Sequence, residues 1–572
     1  MKFTVPQIKY TNKFLENLLV ERGVFDLENF LMPTKSALLP YGDLDNIAAA
    51  IQLIKRHLND DVLIVVDCDG DGFTSAAVMW QYLRDLNPEI NMEYILHTGK
   101  QHGLEDTWEQ IIEKENIKLV ILPDSSSNDE EYHQKLAESG KDILVLDHHE
   151  APSYSQYACV VNNQLSENYK NKALSGVGVV YKFCQALDEE YNVKYADKYL
   201  DLVAVGEISD MMLVTTLENR YIFTQGLKNV TNTGIKELIK KQEYSIGDIS
   251  HLTPTHIAFY ISPLINAIIR VGKQEEKEIL FQALINGDKR VPSTKRGAQA
   301  GTYESIAEQN ARNCVNARSR QNRAKEKALD LLQMTICKEG LDENKVILVE
   351  VEDNAIESTL TGLCAMQLVS IYKKPVLVMK ENSDGYLSGS GRGADRCALT
   401  DFKQFLNDSG YFDFAEGHAQ AFGASIHKNK VEDFIKYANE ELKDVDFNEG
   451  VYNCDFYFKA NDGLLTDAIF SIGSHPEIWG KGNEEPLFVV DEVKLSYSDI
   501  NVCGKNSDTV RFNVGGVTFI KFNAKDFIEE LKGHNEFTLQ IVGRAQLNEW
   551  AGNVTPQIMI MDYNFRNSLF DF

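Results

Sequence analysis

The sequence has few of the features that mark secreted, membrane-spanning or zinc-stabilised proteins. Its nine cysteines are scattered and no two form a CxxC pair, which argues against a structural zinc site or a disulfide framework. No stretch reaches about 18 uninterrupted apolar residues, so we expect no membrane-spanning helix. The N-terminus lacks a cationic stretch followed by an apolar run, so we expect no signal peptide. These absences predict a cytoplasmic protein.

The composition is that of a globular protein with several domains. With 43% hydrophobic and 25% charged residues, the chain is unlike collagen-like, coiled-coil or disordered proteins. Its 572 residues exceed what one hydrophobic core supports and predict roughly two to four domains. The net charge of −27 repels nucleic acid at long range. Residues 289–327, here called the basic segment, contrast with this average because they contain ten basic and three acidic residues.

The pattern of apolar runs predicts an α/β fold. Val62–Val66, Leu119–Leu122 and Ile143–Leu146 are nearly continuous runs rich in β-branched residues, as in strands buried on both faces of a parallel sheet. Amphipathic helical stretches alternate with these runs and predict a βαβ series. A second, smaller α/β pattern has strands near Val346–Val351 and Pro375–Met379. Short alternating strands beyond about residue 450 indicate a small barrel or sandwich.

These patterns divide the chain into four predicted domains. A parallel-sheet domain with an N-terminal lead-in covers residues 1–235, and a helical region with a basic connector helix covers residues 236–335. A smaller α/β domain covers residues 336–445, and an OB-like β-barrel covers residues 446–572.

Three aspartates directly follow the first predicted strand. VVDCDGDGFTS places Asp67, Asp69 and Asp71 at alternate positions, and residues two apart in extended chain point the same way. Carboxylates this close repel one another unless a cation neutralises them. An EF-hand calcium loop also begins DxDxDG, but the glutamate that it needs at its twelfth position is Val78 here. The alternative interpretation is an Asp/Gly turn with solvated carboxylates.

The next two predicted strands also end in potential metal ligands. One leads into Asp124, and the other leads into Asp147, His148 and His149. Ligands of open α/β sheets bind beyond the carboxyl ends of the strands, so three successive strands with such ends predict one shared site. A fourth acid, Asp210, follows an apolar helix in GEISDMM and by itself would be an ordinary helix-end residue.

Together these residues predict a centre for one or two divalent ions. The predicted ligands are Asp69, Asp71, Asp124, His148 and Asp210. Carboxylate and imidazole ligands without thiolate suit Mn²⁺ or Mg²⁺ better than structural zinc. Two ions about 3.5–4 Å apart can activate water and stabilise the leaving oxygen of a phosphoester. Asp67 and Asp147 are predicted to orient ligands, and His149 to contact the scissile phosphate.

Motifs in a fixed order resemble those of a known enzyme superfamily. DCDGDG, PDSSSND, DHH and GEISDMM resemble the four motifs of the DHH phosphoesterases, and GSGRG and EGHAQAFGAS resemble their DHHA1 domain. Similarity to the RecJ family of single-strand-specific 5′→3′ DNA exonucleases runs from about residue 15 to residue 563. It includes IWGKGNEEPLF and NEWAGNVTPQIMIMDY in the region resembling an OB domain. Agreement over this length is specific, whereas DxDxDG alone is not.

The resemblance implies a metal-dependent exonuclease that hydrolyses single-stranded DNA from its 5′ end to mononucleotides, in DNA repair, recombination and replication. It implies a pair of Mn²⁺ or Mg²⁺ ions, and a first domain of DHH type, a third of DHHA1 type and a C-terminal OB domain that binds nucleic acid. Ser390 and Arg392 in GSGRG match residues at the 5′-terminal phosphate. His418 matches a histidine near the scissile phosphate, and Asn266 and Arg270 match substrate-binding positions.

Three positions depart from the family pattern. His97, with Lys100 close by, stands where the family has an arginine for the 5′ phosphate, and is the predicted contact here. The family's PRIN-like motif reads SPLIN here, with Leu264 where the family has an arginine. Glu416 stands where the family's GGH motif has its first glycine. These substitutions bear on substrate preference more than on the metal centre.

Two further regions are candidates for contact with nucleic acid. The basic segment could be a solvated helix face, but its contrast with an acidic chain favours a track for backbone phosphates. Its predicted contacts are Arg312, Arg320 and Arg323. Aromatic rings on an OB sheet can stack on bases. Most aromatic residues beyond residue 450 are expected to fill the core, so no stacking residue is predicted.

The predicted partner is single-stranded DNA, with a single-strand-binding protein or a helicase as further candidates, no membrane, and a monomeric chain. Two other functions stay open. One is a DHH phosphodiesterase acting on short oligoribonucleotides or cyclic dinucleotides, against which the C-terminal region argues. The other is a non-catalytic DHH-fold scaffold in a replication assembly, against which the full set of acids and histidines argues.

Overall fold

The computed structural model describes residues 1–6, 12–99, 101–351, 356–394, 396–447, 449–504, 506–532, 535–550 and 553–566. The strands are β1 (Lys2–Thr4), β2 (Asp61–Val66), β3 (Met92–Leu96), β4 (Ile117–Pro123), β5 (Asp142–Asp147), β6 (Cys159–Asn162), β7 (Arg290–Pro292), β8 (Tyr303–Ser305), β9 (Ile347–Val351), β10 (Val376–Glu381), β11 (Tyr386–Arg392), β12 (Phe412–His418), β13 (Ala421–His427), β14 (Val451–Asn453), β15 (Phe456–Lys459), β16 (Leu487–Ser496), β17 (Asn501–Cys503), β18 (Thr509–Val514), β19 (Val517–Lys521), β20 (Glu536–Trp550) and β21 (Asn553–Arg566).

The α-helices are α1 (Phe14–Glu21), α2 (Leu27–Leu31), α3 (Ile47–His57), α4 (Gly70–Leu86), α5 (Trp108–Ile112), α6 (Glu130–Glu138), α7 (Gly176–Tyr191), α8 (Leu200–Ser209), α9 (Leu217–Lys228), α10 (Thr233–Lys241), α11 (Glu243–Ile246), α12 (Pro254–His256), α13 (Ser262–Val271), α14 (Gln274–Asn286), α15 (Ile306–Glu339), α16 (Thr361–Tyr372), α17 (Phe402–Ser409), α18 (Val431–Glu441), α19 (Gly463–Gly473) and α20 (Lys525–Leu531). None of these helices combines the length and hydropathy of a transmembrane span.

Tertiary contacts divide the chain into two compact units. The first unit consists of Leu19–Ser319 and the short segment His475–Glu484. The second unit consists of Met1–Leu18, Arg320–Ser474 and Glu485–Phe572. Helix α15 begins in the first unit and ends in the second, and the chain also passes from one unit to the other after Leu18, Ser474 and Glu484.

The first unit is built on a five-stranded parallel sheet in the order β3-β2-β4-β5-β6. Successive residues of its strands point to opposite faces of the sheet, and each face is covered by its own hydrophobic core. In β2, Ile64 and Val66 pack into one core, while Leu63 and Val65 pack into the other. Because both faces are covered, the strands read as continuous apolar runs. The predicted parallel α/β sheet is confirmed.

The strand order creates a topological switch point between β2 and β4. From β2 the chain crosses through α4 to β3 on one side, and from β4 it crosses through α6 to β5 on the other. The two connections diverge there and leave a crevice beyond the carboxyl ends of the strands. The acidic segments that follow β2, β4 and β5 therefore meet at the edge where α/β proteins bind ligands.

The region after the sheet is mostly helical, as predicted, but the basic segment is not one helix. Its first part forms the antiparallel hairpin of β7 and β8, and α15 begins only at Ile306. Pro292 cannot donate a helical hydrogen bond, and Gly297 and Gly301 have φ angles of +82° and +84°. These residues exclude a continuous helix before Ile306.

The second unit contains two mixed sheets. The smaller has the order β12-β13-β11-β10-β9, in which only β9 and β10 pair in parallel. The larger has seven strands in the order β15-β16-β20-β21-β19-β18-β17. Phe488, Phe512 and Phe519 of the larger sheet are buried, which confirms the expected core role of these rings, whereas Tyr457 is 41% exposed.

Candidate metal centre and substrate-binding residues

The aspartates after β2 lie at a sharp transition from strand to helix. Asp69 is the N-cap of α4 and accepts a hydrogen bond from the backbone N–H of Gly72 (2.9 Å). A Cβ at Gly72 would lie 2.5 Å from the Cβ of Asp67, so this tight approach requires glycine. Asp71 lies in the first helical turn. The expectation that the three aspartates converge along extended chain is wrong, because the start of α4 brings them together.

The carboxylate of Asp71 is held by the N-terminus of α7. Its oxygens accept hydrogen bonds from the backbone N–H groups of Gly176 (2.8 Å) and Val177 (3.1 Å) and from the hydroxyl of Ser175 (3.2 Å). A helix N-terminus favours a negative charge. A Cβ at Gly176 would lie 2.2 Å from Oδ1 of Asp124, so this glycine lets the helix approach both acids.

Asp124, His148 and Asp210 meet beyond the ends of β4 and β5. Nε2 of His148 lies 3.2 Å from Oδ1 of Asp124 and 3.5 Å from Oδ2 of Asp210, which is the C-cap of α8. Oδ1 of Asp124 is buried and, despite the nearby ring of His148, forms no hydrogen bond within the described residues. A buried acceptor without a donor is costly, and a cation at this position would satisfy it.

The five predicted ligands come together in the structure, and Asp67 joins them. Sets of ligand atoms lying within 4.8 Å of one another in the described chain include Asp67–Asp69–Asp124, Asp71–His148–Asp210 and Asp124–His148–His149. The sequence assigned Asp67 an orienting role, whereas its position also makes it a candidate ligand. Oxygen and imidazole donors at these separations fit Mn²⁺ or Mg²⁺.

The protonation of the cluster reflects its burial. Burial raises the pKa of Asp124 well above its usual range, and the charges of Asp71 and Asp69 add to the effect. Burial and the same two neighbours raise the pKa of Asp210 to about 8. Divalent cations among these acids would stabilise their ionised forms. Burial lowers the pKa of His148 to about 4, so its imidazole is neutral, which is the metal-binding form.

Two histidines at the rim of the cluster carry positive charge. His149 pairs with Asp147 (2.8 Å), which raises the pKa of His149 to about 9, and its ring is half exposed. His102 pairs with Oδ2 of Asp67 (2.6 Å), which raises the pKa of His102 to about 11. Sequence reasoning missed His102, although it follows β3, whose carboxyl end meets the same edge of the sheet.

Asp147 is buried beneath His149. Burial alone would raise the pKa of Asp147, but the hydrogen bond with His149 and one from the backbone N–H of Ser127 (3.0 Å) hold it below its usual range. The sequence predicted that Asp147 orients a metal ligand. In the structure Asp147 pairs with the ring of His149, which is not a predicted ligand, and accepts a hydrogen bond from the backbone N–H of the predicted ligand His148 (2.7 Å).

His97 does not face a substrate. Its side chain has no exposed surface, and its Nδ1 pairs with Oδ1 of Asp106 (2.7 Å). A phosphate cannot reach this imidazole in the structure, so the expectation that His97 contacts the 5′ phosphate is not supported. Lys100 lies outside the described residues.

Asn266 and Arg270 lie one turn apart on α13, which follows a π-helical turn at Ile257–Ile261. A Cβ at Gly70 would lie 3.6 Å from Oδ1 of Asn266, so this face of α13 borders the start of α4. Burial lowers the pKa of Arg270, and the charge of Asp69 opposes that shift. Arg318 lies near Arg270. Burial lowers the pKa of Arg318, and the positive charge of Arg270 lowers it further.

Ser390 and Arg392 of β11 meet the N-terminus of α16 in the second unit. The hydroxyl of Ser390 lies 3.0 Å from that of Thr361, the first residue of α16. A Cβ at Gly362 would lie 2.6 Å from a guanidinium nitrogen of Arg392 and 3.4 Å from Oγ of Ser390. A helix N-terminus with a serine and an arginine is a suitable arrangement for a phosphate.

His418 and Arg392 flank the same residue of the smaller sheet in the second unit. Both pair with Ala421 of β13, one from β12 and the other from β11. Directly paired residues point to the same face of a sheet. Neighbouring strands are about 4.8 Å apart, so the backbones of the two residues lie about 10 Å apart.

Arg312 is engaged within the protein. Its guanidinium makes two contacts with the carboxylate of Glu304 in β8 (2.7 and 2.8 Å) and one with the hydroxyl of Thr294 (2.7 Å). The prediction that Arg312 contacts a nucleic-acid phosphate is not supported, because this bidentate pair joins α15 to the β7–β8 hairpin. Arg323 is exposed on α15 and Arg320 is partly buried there.

Comparisons with known proteins agree with this geometry. A model of the DHH family N-terminal domain matches residues 61–207, and a model of the RecJ OB domain matches residues 465–562. The SPbeta prophage-derived protein YorK of Bacillus subtilis, provisionally named a single-strand DNA-specific exonuclease, is 37% identical over 557 residues. This alignment covers 96% of the chain and 95% of YorK. The chain belongs to the RecJ family.

Other RecJ proteins are more distant. The single-stranded-DNA-specific exonuclease RecJ of Bacillus subtilis is 26% identical, over 96% of this chain and 67% of that protein. RecJ of Escherichia coli is 23% identical, over 96% and 95%. The crystal structure of RecJ from Thermus thermophilus in complex with Mn²⁺ matches 99% of this chain and 80% of that chain, with a TM-score of 0.75 and 19% identity. This last match establishes a shared RecJ fold.

Proposed function

We propose that this RecJ-family chain is a metal-dependent exonuclease that degrades single-stranded DNA from 5′ to 3′ and releases mononucleotides. The observation that carries the proposal is the convergence of acids and His148 beyond β2, β4 and β5, at the switch point of the sheet. The relatives named RecJ are single-stranded-DNA-specific exonucleases, which supports the substrate.

The proposed metal centre holds two ions, Mn²⁺ or Mg²⁺. Two of the sets of ligand atoms, Asp67–Asp69–Asp124 and Asp71–His148–Asp210, have no residue in common and support this number. RecJ from Thermus thermophilus has been crystallised with each of these metals. When bound, such ions activate a water and neutralise the leaving oxygen. The protein ligands would be Asp69, Asp71, Asp124, His148 and Asp210, with Asp67 beside them.

The protonated histidines of the rim would act on the substrate phosphate. His149 is held by Asp147 and carries a positive charge at neutral pH, so it can donate a hydrogen bond to the scissile phosphate. His102 is held in the same way by Asp67. Asn266 and Arg270 would contact the DNA backbone beside α4.

Recognition of the 5′ end is assigned to the second unit. Ser390, Arg392 and the N-terminus of α16 would hold the terminal phosphate, and His418, exposed on the same face of the sheet, would contact the phosphodiester. A site for a terminal phosphate favours cleavage from an end over cleavage within a strand.

The proposal follows the four segments predicted from the sequence. Residues 1–235 form the DHH catalytic domain, residues 236–335 the helical connector, residues 336–445 the DHHA1 domain and residues 446–572 the OB domain. The monomeric state, the cytoplasmic compartment, and a single-strand-binding protein or helicase as partner stay predictions.

A digestion assay tests the proposed function. Single-stranded DNA labelled at its 5′ end, incubated with protein and Mn²⁺, should release labelled mononucleotide first, whereas a 3′ label should be released last. Blunt duplex should persist, and a chelator should stop the reaction. RNA of the same sequence measures the discrimination between the two nucleic acids.

Two matched variants connect the assay to the site. Asp210→Asn should lose activity because it removes a ligand charge from the cluster. Asp142→Asn should retain activity because Asp142 lies at the opposite end of β5, paired with His57. Release of the 3′ label first would overturn the polarity, and activity that persists in chelator would overturn the metal requirement.

A further inference from the structure

Cys68 lies between two aspartates of the metal cluster and next to His102. Nδ1 of His102 is 2.6 Å from Oδ2 of Asp67 and 3.9 Å from Sγ of Cys68. Of the cysteines in the described chain, Cys68 alone belongs to a set of ligand atoms within 4.8 Å of one another. This set contains a sulfur donor, in contrast to the sets assigned to Mn²⁺ or Mg²⁺.

We propose that Asp67, Cys68 and His102 form a second site, overlapping the catalytic centre at Asp67, for a thiophilic divalent cation, Zn²⁺ or Cd²⁺, and that its occupation blocks the catalytic centre. Thiolate ligands select soft or borderline cations, and zinc binds such sites more tightly than manganese does. Carboxylate, thiolate and imidazole are all zinc ligands in proteins, and a fourth tetrahedral position is open to water.

The distances need only a small adjustment to bind such an ion, and binding would release the Nδ1 proton of His102 and the thiol proton of Cys68 to solvent. Tetrahedral zinc with its usual bond lengths places donors about 3.3–3.6 Å apart. The separation of 3.9 Å between Cys68 and His102 is close to this range, and the hydrogen bond between His102 and Asp67 would lengthen by about 0.7 Å. The side chain of His102 is 58% exposed, so its ring can move and the ion can enter from solvent.

The blocking effect follows from Asp67, which the two sites share. An oxygen of Asp67 also lies within 4.8 Å of ligand atoms of Asp69 and Asp124. A cation held by Cys68 would compete for this carboxylate and place positive charge beside the catalytic ions. It would also engage His102 at the rim. The blocking claim rests on the proposed nuclease function, whereas the binding claim does not.

Titration of the full-length protein with Cd²⁺, in the presence of saturating Mn²⁺, tests the binding claim. A thiolate–cadmium charge-transfer band in the ultraviolet should appear at one equivalent in the wild type and be lost in Cys68→Ser. The control Cys337→Ser removes an exposed cysteine of α15 and should keep the band. An unchanged band in Cys68→Ser would overturn the proposal, as would cadmium binding without any Cys68-dependent band.

A second variant keeps the test decisive if Cys68→Ser fails to fold. His102→Asn changes a largely exposed side chain and should weaken Cd²⁺ binding by about tenfold or more. Unchanged cadmium affinity in this variant would contradict the site.

The blocking claim is measured separately. Cys68→Ser should degrade single-stranded DNA with Mn²⁺ and need about tenfold more Cd²⁺ or Zn²⁺ for half-inhibition than the wild type. Equal inhibition of both proteins would overturn blocking through this site. If neither protein degrades DNA, the nuclease proposal fails while the absorbance titration still decides whether the site exists.

Discussion

At the scale of single residues, Asp124 has two properties that fit a metal ligand. Its φ of +70° lies in the left-handed region, which is unusual for a residue other than glycine. Its Oδ1 is buried among other acids and forms no hydrogen bond in the described structure. Strain of this kind costs of order 1–3 kcal/mol and persists where the surroundings enforce it, often at functional sites. The fold therefore holds Asp124 in a strained backbone conformation and close to other carboxylates that repel it.

Asp124→Asn should separate stability from activity. Removing one charge relieves repulsion by Asp71 and Asp69, so the melting temperature in chelator should rise relative to wild type. The stabilisation by added Mn²⁺ should be lost, and exonuclease activity should fall by more than about a hundredfold. Thermal melts with and without Mn²⁺ measure the first two effects, with Asp142→Asn as the matched control. Wild-type activity in Asp124→Asn would remove this residue from the site.

His133 predicts a pH dependence of stability away from the metal centre. Its buried side chain lies 3.1 Å from the hydroxyl of Ser155, and burial lowers its pKa to about 4. The folded state then binds fewer protons than the unfolded state, so stability is full above the unfolded pKa of about 6.5 and is lost as pH falls toward 4. The loss amounts to about 3 kcal/mol.

The measurement is the free energy of unfolding between pH 7 and pH 4 for wild type and His133→Gln, with chelator in both. The wild type should lose more stability than the variant over this range. The control His251→Gln, at an exposed position, should follow the wild type. Parallel curves for wild type and His133→Gln would contradict the assignment.

The sequence pattern predicted which residues lie together where the end of a strand determines their position. Asp124 and His148 follow buried apolar runs, and parallel strands place such ends together. His97 and His102 could not be distinguished in this way, because both follow β3 within a few residues. Only the folded chain directs His97 inward to Asp106 and His102 outward to Asp67.

At the scale of secondary-structure elements, the site depends on helix starts that approach the acids closely. The N-termini of α4 and α7 both lie against the cluster, and glycines make this approach possible. The motif predicted that these acids lie together but gave the wrong local geometry, because DxDxDG does not reveal where the strand stops and the helix begins. The hairpin of β7 and β8 was missed for a similar reason, since three-residue strands leave little periodicity.

Gly176→Ala tests the close packing of α7. The added Cβ would lie 2.2 Å from Oδ1 of Asp124, so the carboxylates should move apart and the affinity for Mn²⁺ should fall about tenfold or more. Gly463→Ala is the matched control, because Gly463 opens α19 with no atom within 4 Å of the added Cβ. Isothermal titration with Mn²⁺ compares the two variants. Wild-type affinity in Gly176→Ala would show that the site adapts to the added methyl group.

At the scale of the whole molecule, the net charge of −27 requires local cationic groups to hold DNA. Arg323 is exposed on α15, whereas Arg312 is bound to Glu304. Arg323→Gln should reduce the slope of log affinity for single-stranded DNA against log salt by about one. Arg312→Gln should leave the slope unchanged and lower stability. Fluorescence anisotropy over a salt series measures both, and the reverse outcome would contradict the assignment.

One unit of the fold combines segments that are distant in the sequence, which local sequence patterns do not reveal. His475–Glu484 belongs to the first unit although the residues on both sides belong to the second. Arg220, buried in α9, donates hydrogen bonds to the backbone carbonyls of Phe30 (3.1 Å) and Glu477 (2.7 Å) and so joins this segment to the unit. Motif order over nearly the whole length predicted the fold, but such long-range contacts have no periodic signal.

Anomalous scattering from a crystal grown with Mn²⁺ tests the central claim most directly. We expect manganese peaks in contact with Asp69, Asp71, Asp124, His148 and Asp210, and their loss or weakening in Asp124→Asn. The claim would be contradicted if protein that degrades single-stranded DNA gave crystals in which manganese is bound elsewhere and none of these side chains contacts it.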